Sequence, residues 1–389
     1  MGFPVFISFE YESRFALLGA MAREMAEALA GKGCDVNPEG GLEALGGRAG
    51  MALWLNFLGG SRQLSPRVTA AGSRVALVQF FVDHPLALWT EQMDALSRLP
   101  NFRMVLPCVD GLHLLRLRWP GLKHAHCLHG VSPTALAPPD EIEASHLGRG
   151  ESARGVDVVV TGSIHTEEEI AELRAKLPAR VHGVCDEAAA MMEQRPWTPF
   201  EQALDVAAGS DGLMTGEWAL LQGCQRYVVA LVNRRRRTAM VRALRGLGVE
   251  VYGGSAWESV CAEAGAKWRG EVAYGELPAT LRRARVCLAL GPTQFTHTFS
   301  ERLLLSLAAG CATVADDRLL ARKHFGEAGC VALFDAARPE AMRAQVEALL
   351  TDRDRCAAMG VAGREAVARG HLWAHRMDTL ARVGSDAVG

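Results

Sequence analysis

Short apolar runs alternate with helical patterns along the first third of the chain. Apolar residues at helical spacing over residues 13–30 predict an amphipathic helix, and the shorter runs around it predict strands. Strands separated by helices are typical of a parallel sheet with crossover helices. The predicted strands of this region are residues 4–8, 51–57, 74–81 and 102–107.

Residues 132–155 interrupt the alternation with three prolines and several charges, and they show no apolar periodicity. We therefore predict two α/β domains, over residues 1–150 and 151–389, and we expect the C-terminal helix to cross back toward the first. In the second domain, strands are predicted at residues 156–160, 249–252, 285–290, 312–315 and 330–334. Helices are predicted at residues 167–177, 227–247, 300–309, 339–350 and across 352–383.

The composition excludes several classes of protein. The chain has 389 residues, of which 49% are hydrophobic and 22% charged, with a formal net charge of −2 that provides no field for nucleic acid. No apolar run approaches the roughly 18 residues of a membrane span, and no basic leader opens the chain. The ten cysteines lack the two-residue spacing of zinc or redox motifs. We expect a cytoplasmic protein that binds no nucleic acid and has no integral membrane association.

Two side-chain clusters allow a functional interpretation that their surroundings do not favour. The run Arg234–Arg237 lies inside a helical pattern, which favours a solvated helix face or local contacts with acidic neighbours over a phosphate or partner site. The cluster of His124, His126, Cys127 and His129 contains zinc-binding residue types, but alternation along a strand would divide it between two faces. We therefore expect no metal site.

Ligands of open α/β sheets bind beyond the carboxyl ends of the strands, where helix N-termini favour anions. In the second domain the positions after strands include Gly162 with Ser163, Gly253 with Trp257, and Asp316 with Asp317. The two aspartates serve either as ligand contacts or as helix caps. We predict a binding site for an anionic ligand at this edge of the sheet.

Residues 294–302 form the most informative segment, a polar loop that enters a helix closed by Gly310. Arg302 in the first helical turn could pair with a phosphate, and Glu301 could accept hydrogen bonds from sugar hydroxyls. The spacing of Thr298 and Glu301 also fits a capping box, which needs no ligand. From the spacing alone, both interpretations stay open. The other candidate ligand contacts of this segment are His297 and Ser300.

Several blocks of the second domain resemble the CgeB-like glycosyltransferases, a branch of the group 1 glycosyltransferases. Glu301-Arg302, the alanine-rich helix that ends at Gly310 and the strand that ends at Asp317 are similar to one conserved segment of that family. Further blocks match in order and spacing from about residue 157 to the C-terminus. They are residues 249–257 (VEVYGGSAW), 270–278, 362–364 and 371–376.

The resemblance implies the GT-B fold, with two Rossmann-like domains facing each other across a cleft. It implies a nucleotide-diphosphate sugar donor bound by the second domain, no cofactor, no metal, and an acceptor that could be a glycan, a lipid-linked sugar or a protein. The implied donor-binding residues are Gly162, Ser163, Gly253, Trp257, His297, Thr298, Ser300, Glu301, Arg302 and Asp317. The chain departs from many group 1 enzymes at His297 and Leu305, where those enzymes have glutamates.

The first domain contributes the candidate catalytic residues. Asp83 and His84, in the sequence Phe81-Val82-Asp83-His84-Pro85, follow a predicted strand and resemble a motif of the domain that precedes the transferase domain in this family. An inverting enzyme needs a base there to deprotonate the acceptor hydroxyl. Alternatively, Asp83 caps the loop before Pro85 while His84 packs.

Two other functions remain open. A sugar-nucleotide epimerase with this fold would act on its donor without an acceptor, and a non-catalytic scaffold would bind without turnover. Serine-hydrolase and P-loop chemistry are disfavoured, because the sequence has neither a Gly-x-Ser-x-Gly elbow nor a glycine-rich loop that ends in Lys-Ser or Lys-Thr.

Overall fold

The computed structural model describes residues 4–9, 15–36, 49–56, 73–110, 112–148, 154–209 and 217–388. The chain divides into two compact units, one made of Met1–Ser132 with His371–Gly389 and the other of Pro133–Gly370. Each unit contains a six-stranded sheet in which every strand pair is parallel. The prediction of two α/β domains is confirmed.

The sheet of the first unit has the strand order β2-β1-β3-β4-β5-β6. Every residue of β3 and β4 is buried, because parallel sheets are covered on both faces. The strands are Pro4–Ser8 (β1), Asp35–Val36 (β2), Gly50–Leu55 (β3), Val75–Phe80 (β4), Phe102–Leu106 (β5) and His124–His126 (β6), with helices Leu17–Gly31 (α1), Glu91–Leu96 (α2) and Leu112–Arg118 (α3).

The sheet of the second unit has the order β12-β11-β10-β7-β8-β9. Its strands are Val156–Thr161 (β7), Val249–Tyr252 (β8), Lys267–Trp268 (β9), Ala284–Ala289 (β10), Ala312–Asp316 (β11) and Val331–Phe334 (β12). Its helices are Pro139–His146 (α4), Glu167–Ala175 (α5), His182–Gln194 (α6), Phe200–Ala208 (α7), Trp218–Ala243 (α8), Trp257–Ala264 (α9), Leu277–Arg282 (α10), Glu301–Ala308 (α11), Leu319–Ala321 (α12), Pro339–Thr351 (α13) and Arg353–Gly370 (α14). No helix of the described residues is long and apolar enough to cross a membrane.

The boundary between the units lies after Ser132, earlier than the predicted position near residue 150. The proline-rich segment belongs to the second unit because Pro139 starts helix α4, which packs into that unit. Ile142 of α4 is fully buried, and a Cβ atom built on Gly310 would lie 2.5 Å from Ile142 Cγ1. His146 Nε2 is 2.9 Å from the Gly310 carbonyl oxygen, which fastens the end of the helix.

Arg154 is a buried cross-link at the amino-terminal edge of the second sheet. Its guanidinium donates to the carbonyl oxygens of Ala284 (2.6 Å), Ala309 (3.1 Å) and Gly310 (2.9 Å), and its Nε donates to Ser145 Oγ. Two of these carbonyls follow α11, so the positive charge lies at the negative end of that helix dipole. Arg154 thus ties the segment before β7 to β10 and α11.

The last helix, Ala374–Val388 (α15), packs on β4 and α1 of the first unit. Met377 and Leu380 of this helix are fully buried in the first core, and Trp373 joins them. Helix α15 therefore belongs to the first unit, whereas the prediction placed all residues from 151 to 389 in the second domain. Residues 371–389 complete the first unit.

Trp373 and Glu24 form a buried polar contact in the first unit. The indole Nε1 of Trp373 donates to Glu24 Oε2 at 2.9 Å. Burial raises the pKa of Glu24 to about 7, although the indole hydrogen bond lowers it. The folded chain therefore retains a proton on Glu24 at pH values where the unfolded chain releases it.

We expect Glu24→Gln to remove a pH dependence of stability. The wild-type free energy of unfolding should fall as pH rises from about 4.5, the ordinary pKa, to about 7, the folded value. Glutamine keeps a neutral acceptor for Trp373, so the variant should be more stable at pH 8 by on the order of 3 kcal/mol. Urea unfolding at pH 5 and pH 8 measures this, with the exposed Glu91→Gln as control. An unchanged pH dependence in Glu24→Gln would contradict it.

Candidate anion-binding site

The strand order of the second sheet determines where its ligands can bind. The order reverses between β7 and β10, because the chain runs from β7 to β8 on one side and from β10 to β11 on the other. Open α/β sheets bind ligands at such a switch point, beyond the carboxyl ends of the strands. Here the chain leaves β7 at Gly162 and β10 near Gly291.

The turn after β7 is held by backbone contacts that only glycine allows. Gly162 has φ +122°, and its N–H donates to the Tyr252 carbonyl at 3.0 Å. The fully buried Trp257 donates its indole Nε1 to the Gly162 carbonyl at 2.7 Å. A Cβ atom on Gly253 would overlap that same carbonyl oxygen. Trp257 therefore stabilises the Gly162 turn by a hydrogen bond, and Gly253 allows the close approach of the Gly162 carbonyl.

Two guanidinium groups converge on Gly162 from different helices. A Cβ atom built on Gly162 would overlap Nη1 of Arg237 (α8) and lie 3.0 Å from Nη1 of Arg302 (α11). Arg237 is only 4% exposed. The buried Nε atoms of both arginines, and Ser163 Oγ, have no hydrogen-bond partner among the described residues. Arg237 Nη1 donates to the Ser163 carbonyl at 3.4 Å, so the two Nε donors are the buried guanidinium atoms left without a partner in the described part of the chain.

The charges of this pair are unfavourable in the absence of an anion. Burial and the neighbouring Arg302 guanidinium lower the pKa of Arg237 to about 9, so the group remains cationic at pH 7. Arg236, the preceding residue, has its pKa lowered to about 10, chiefly by burial, and donates to the Met192 carbonyl at 2.6 Å. A bound anion would offset the burial of two like charges and accept their hydrogen bonds.

The N-terminus of α11 lies beside the same pair. Ser300 is its N-cap residue, and no side chain caps the helix. The capping-box interpretation of Thr298 and Glu301 is therefore wrong: Glu301 is already the first helical residue, and Thr298 is fully buried before the cap. Uncapped amides and the helix dipole both favour an anion.

Asp316, the last residue of β11, and Asp317, which follows it, each form an ion pair with an arginine. Asp316 accepts the Gly291 N–H at 2.7 Å and pairs with Arg318, while Asp317 pairs with both Nε and Nη2 of Arg322. Among the described residues, no group of three or more His, Cys, Asp or Glu could hold a metal ion.

The remaining predicted contacts of the loop differ in exposure. His297 and Glu301 are half-buried, and the His297 carbonyl accepts the Leu320 N–H at 2.9 Å. Leu305, where many group 1 enzymes have a glutamate, is 1% exposed and belongs to the packed face of α11. Glu301 is therefore the carboxylate of this helix that lies next to Arg237 and Arg302.

In the first unit, Asp83 is oriented by a residue that the sequence did not indicate. Asn56, with φ 61° after β3, accepts the N–H groups of Val82 (2.6 Å) and Asp83 (2.9 Å) through Oδ1. Its Nδ2 donates to Asp83 Oδ2 at 2.9 Å. His84 is buried, and its Nδ1 accepts the Leu86 N–H at 3.2 Å. The half-buried Asp83 carboxylate thus has a fixed orientation at the carboxyl end of this sheet.

Arg237 is the main residue that the sequence analysis missed. The solvated-face interpretation of Arg234–Arg237 holds for Arg235, which is exposed, but it is wrong for Arg237. Arg237 precedes the fully buried Met240 and Val241 by three and four residues, so helical spacing puts it on their face. That spacing was the signal available in the sequence.

Part of the chain matches a known protein family. Residues 234–382 match the family described as glycosyl transferase-like, and this match includes Arg237 and Arg302. No curated protein sequence matches the chain.

Many solved structures match the chain, including two that cover nearly all of it. Sucrose-phosphate synthase from Thermosynechococcus elongatus superposes with a TM-score of 0.53 and 13% identity over 98% of each chain. Anabaena Alr3699/HepE in complex with UDP-glucose gives a TM-score of 0.50 and 10% identity, covering 98% of this chain and 99% of that one. The predicted GT-B fold is confirmed. The prediction of a glycosyltransferase is confirmed at the level of the domain family, and the CgeB-like branch stays a prediction.

We expect Trp257→Phe to loosen the Gly162 turn. Phenylalanine fills most of the indole volume but leaves the Gly162 carbonyl without its donor, which costs about 1–3 kcal/mol when the acceptor is buried. Urea unfolding of the purified protein measures the loss. Trp197→Phe, at a residue 57% exposed, is the matched control. Equal unfolding midpoints for the two variants would contradict the supporting role of Trp257.

Proposed function

We propose that the chain transfers a sugar from a nucleoside-diphosphate sugar to an acceptor hydroxyl. The convergence of Arg237 and Arg302 on the Gly162 turn carries this proposal. Both groups are aimed at one point at the switch of the sheet, and neither Nε has a partner among the described residues. A diphosphate has the charge and the acceptor atoms that this point lacks.

The same groups would assist the chemical step. Cleavage of the bond between sugar and diphosphate develops negative charge on the leaving oxygen, and fixed donors stabilise that charge as it forms. Two guanidinium groups and the uncapped amides of α11 are such donors. We propose that they perform this task without a metal ion, and that the nucleotide sugar is a co-substrate with no further cofactor.

The residues around the pair suggest roles toward the donor. Glu301 and Ser300 lie at the start of α11, beside the pair, and Glu301 is suited to accept hydrogen bonds from ribose or sugar hydroxyls. His297 and Thr298 remain proposed donor-side residues of the preceding loop. Asp317 would act through its pairing with Arg322. Because Anabaena Alr3699/HepE is solved with UDP-glucose, this donor is the first to test.

We assign acceptor activation to Asp83 of the first unit. Asn56 holds one carboxylate oxygen and the local backbone in place, which leaves the orientation of the other oxygen fixed. His84 supports the turn through its contact with Leu86. We further propose that the protein belongs to the CgeB-like branch and acts in the cytoplasm on a glycan, a lipid-linked sugar or a protein. The ten buried, unbridged cysteines are in keeping with a reducing compartment.

Binding of nucleoside diphosphates tests the proposal. The purified chain is screened by thermal shift and titration calorimetry against UDP, GDP, CDP, dTDP and ADP and their sugar conjugates. A ligand at 100 times its dissociation constant adds about 2.7 kcal/mol of apparent stability. We expect one nucleotide family to bind, and we expect Arg237→Gln and Arg302→Gln each to weaken it at least about tenfold, since each removes a charged hydrogen bond worth about 1.5–3 kcal/mol.

The exposed Arg235→Gln is the matched control, because it removes one charge from the same helix. If Arg235→Gln weakened nucleotide binding as much as Arg237→Gln does, the loss of affinity would be explained by the change in net charge alone. Failure of the wild-type chain to bind any member of the panel would contradict the proposed function.

We expect Asp83→Asn to separate binding from chemistry. The amide keeps the contact with Asn56 but cannot accept a proton, so donor affinity should persist while turnover falls about 100-fold or more. The measurement is the release of nucleoside diphosphate as the sugar of the bound donor is transferred to an acceptor or to water. The exposed Asp35→Asn is the control. Unchanged turnover would exclude Asp83 as the base.

A further inference from the structure

The last residue of β11 and the segment after it contain a buried ion pair that contacts the loop between β10 and α11. Asp316 and Arg318 are 6% and 5% exposed, and Arg318 Nε donates to Asp316 Oδ2 at 2.5 Å. Asp316 also accepts the Gly291 N–H at 2.7 Å. Burial raises the pKa of Asp316, but the Arg318 guanidinium and the Gly291 amide outweigh it and the pKa is lowered. The pair is thus joined to Gly291, near the start of the loop.

Arg318 extends this attachment along the loop. Its Nη1 donates to the Pro292 carbonyl at 3.0 Å and also to the Phe295 carbonyl. Two residues later, the Leu320 N–H donates to the His297 carbonyl. The loop is thus fastened to residues 316–320 at Gly291, Pro292, Phe295 and His297, all of them ahead of α11.

The contact with Gly291 is made at close range. A Cβ atom on Gly291 would overlap Nε and Cζ of Arg318, so the guanidinium lies directly against the glycine. Because Asp316 neutralises Arg318, this arginine adds little net charge to the cavity that it lines with Arg236 and Arg237.

A buried ion pair is a weak source of stability, since desolvation offsets most of its attraction. Its fixed, directional hydrogen bonds are better suited to defining one position of a loop. The loop in question ends at Ser300, so its position determines where the amides of α11 and Arg302 stand relative to Arg237 on α8.

We propose that Asp316 and Arg318 form a positioning pair for the anion-binding site. The pair sets the distance between the two halves of that site, which are Arg237 on α8 and the start of α11. This inference rests on the proposed function, because it takes the ligand to be a diphosphate gripped between Arg237 and the start of α11. In this proposal Arg318 acts on the ligand through the loop rather than by direct contact. A diphosphate, which spans both halves, depends on their spacing, whereas a monophosphate can occupy one half.

The test compares nucleoside diphosphate and monophosphate binding in two variants. Arg318→Lys keeps the charge but loses the fork of donors, and Gly291→Ala keeps both charges but displaces the guanidinium. Calorimetry gives the dissociation constants of UDP and UMP, or of the corresponding pair for the nucleotide selected by the screen. Urea unfolding of each variant confirms that the folded protein is titrated.

We expect both variants to weaken UDP binding at least tenfold and UMP binding less than threefold, so the preference for UDP collapses. Arg343→Lys is the matched control, because Arg343 lies on α13, outside the site, and also donates to two backbone carbonyls, those of Ala243 and Arg245. It should lower stability without changing the UDP preference.

The outcomes separate this inference from the proposed function. If the wild-type chain prefers the diphosphate, Arg237→Gln abolishes that preference, and both positioning variants retain it, the positioning pair is excluded while the proposed function stands. If the wild-type chain binds neither nucleotide, both are overturned. A parallel loss of UDP and UMP affinity, in proportion to lost stability, would also overturn the positioning role.

Discussion

The parallel pairing of β7 with β10 is the constraint from which the candidate site follows. Parallel strands end at the same edge, so the turns after these two neighbours lie side by side at the reversal of the strand order. The Gly162 turn and the loop that starts at Gly291 therefore share one region with the helices that approach it. Without that pairing, Arg237 on α8 and Arg302 on α11 would have no common target.

The two ends of helix α11 have different electrostatic surroundings. At its C-terminal end, the carbonyls of Ala309 and Gly310 accept hydrogen bonds from the buried Arg154. At its N-terminal end, uncapped amides and Arg302 lie beside Arg237. The helix dipole is thus complemented by a cation at its negative end, while its positive end is left for an anion. The apolar face of the helix, with Leu305 and its neighbours, fixes this orientation in the core.

The sequence predicted the long, fully apolar strands and the helix at Glu301, because burial on both faces leaves an unmistakable pattern. It did not predict the two-residue edge strands β2 and β9, which are too short to show a period. The prolines of residues 132–155 predict a break between the two domains, whereas Pro139 occupies the first turn of α4, where proline is tolerated. Each of these errors concerns segments whose structure depends on tertiary contacts.

The same distinction applies to the site. Gly162, Ser163 and Arg302 follow strands or start a helix, and the sequence could place them at one edge. Arg237 and Asn56 could not be placed so directly: the first lies in the middle of a 26-residue helix, and the second relies on a left-handed backbone conformation. The role of Trp257 as a support for Gly162 depends on a contact between residues 95 positions apart. Local patterns contain no information about such a contact.

The close approach of two arginines has a consequence for how this protein can change over evolutionary time. Proteins drift toward substitutions that fold more easily unless function opposes them. Replacing Arg237 by a neutral residue would relieve the burial of like charges, so selection for folding alone would remove it from descendants. A lineage that stopped using the ligand would lose this pair early. Persistence of both arginines in a related chain would therefore mark continued ligand use more reliably than persistence of the surrounding apolar core.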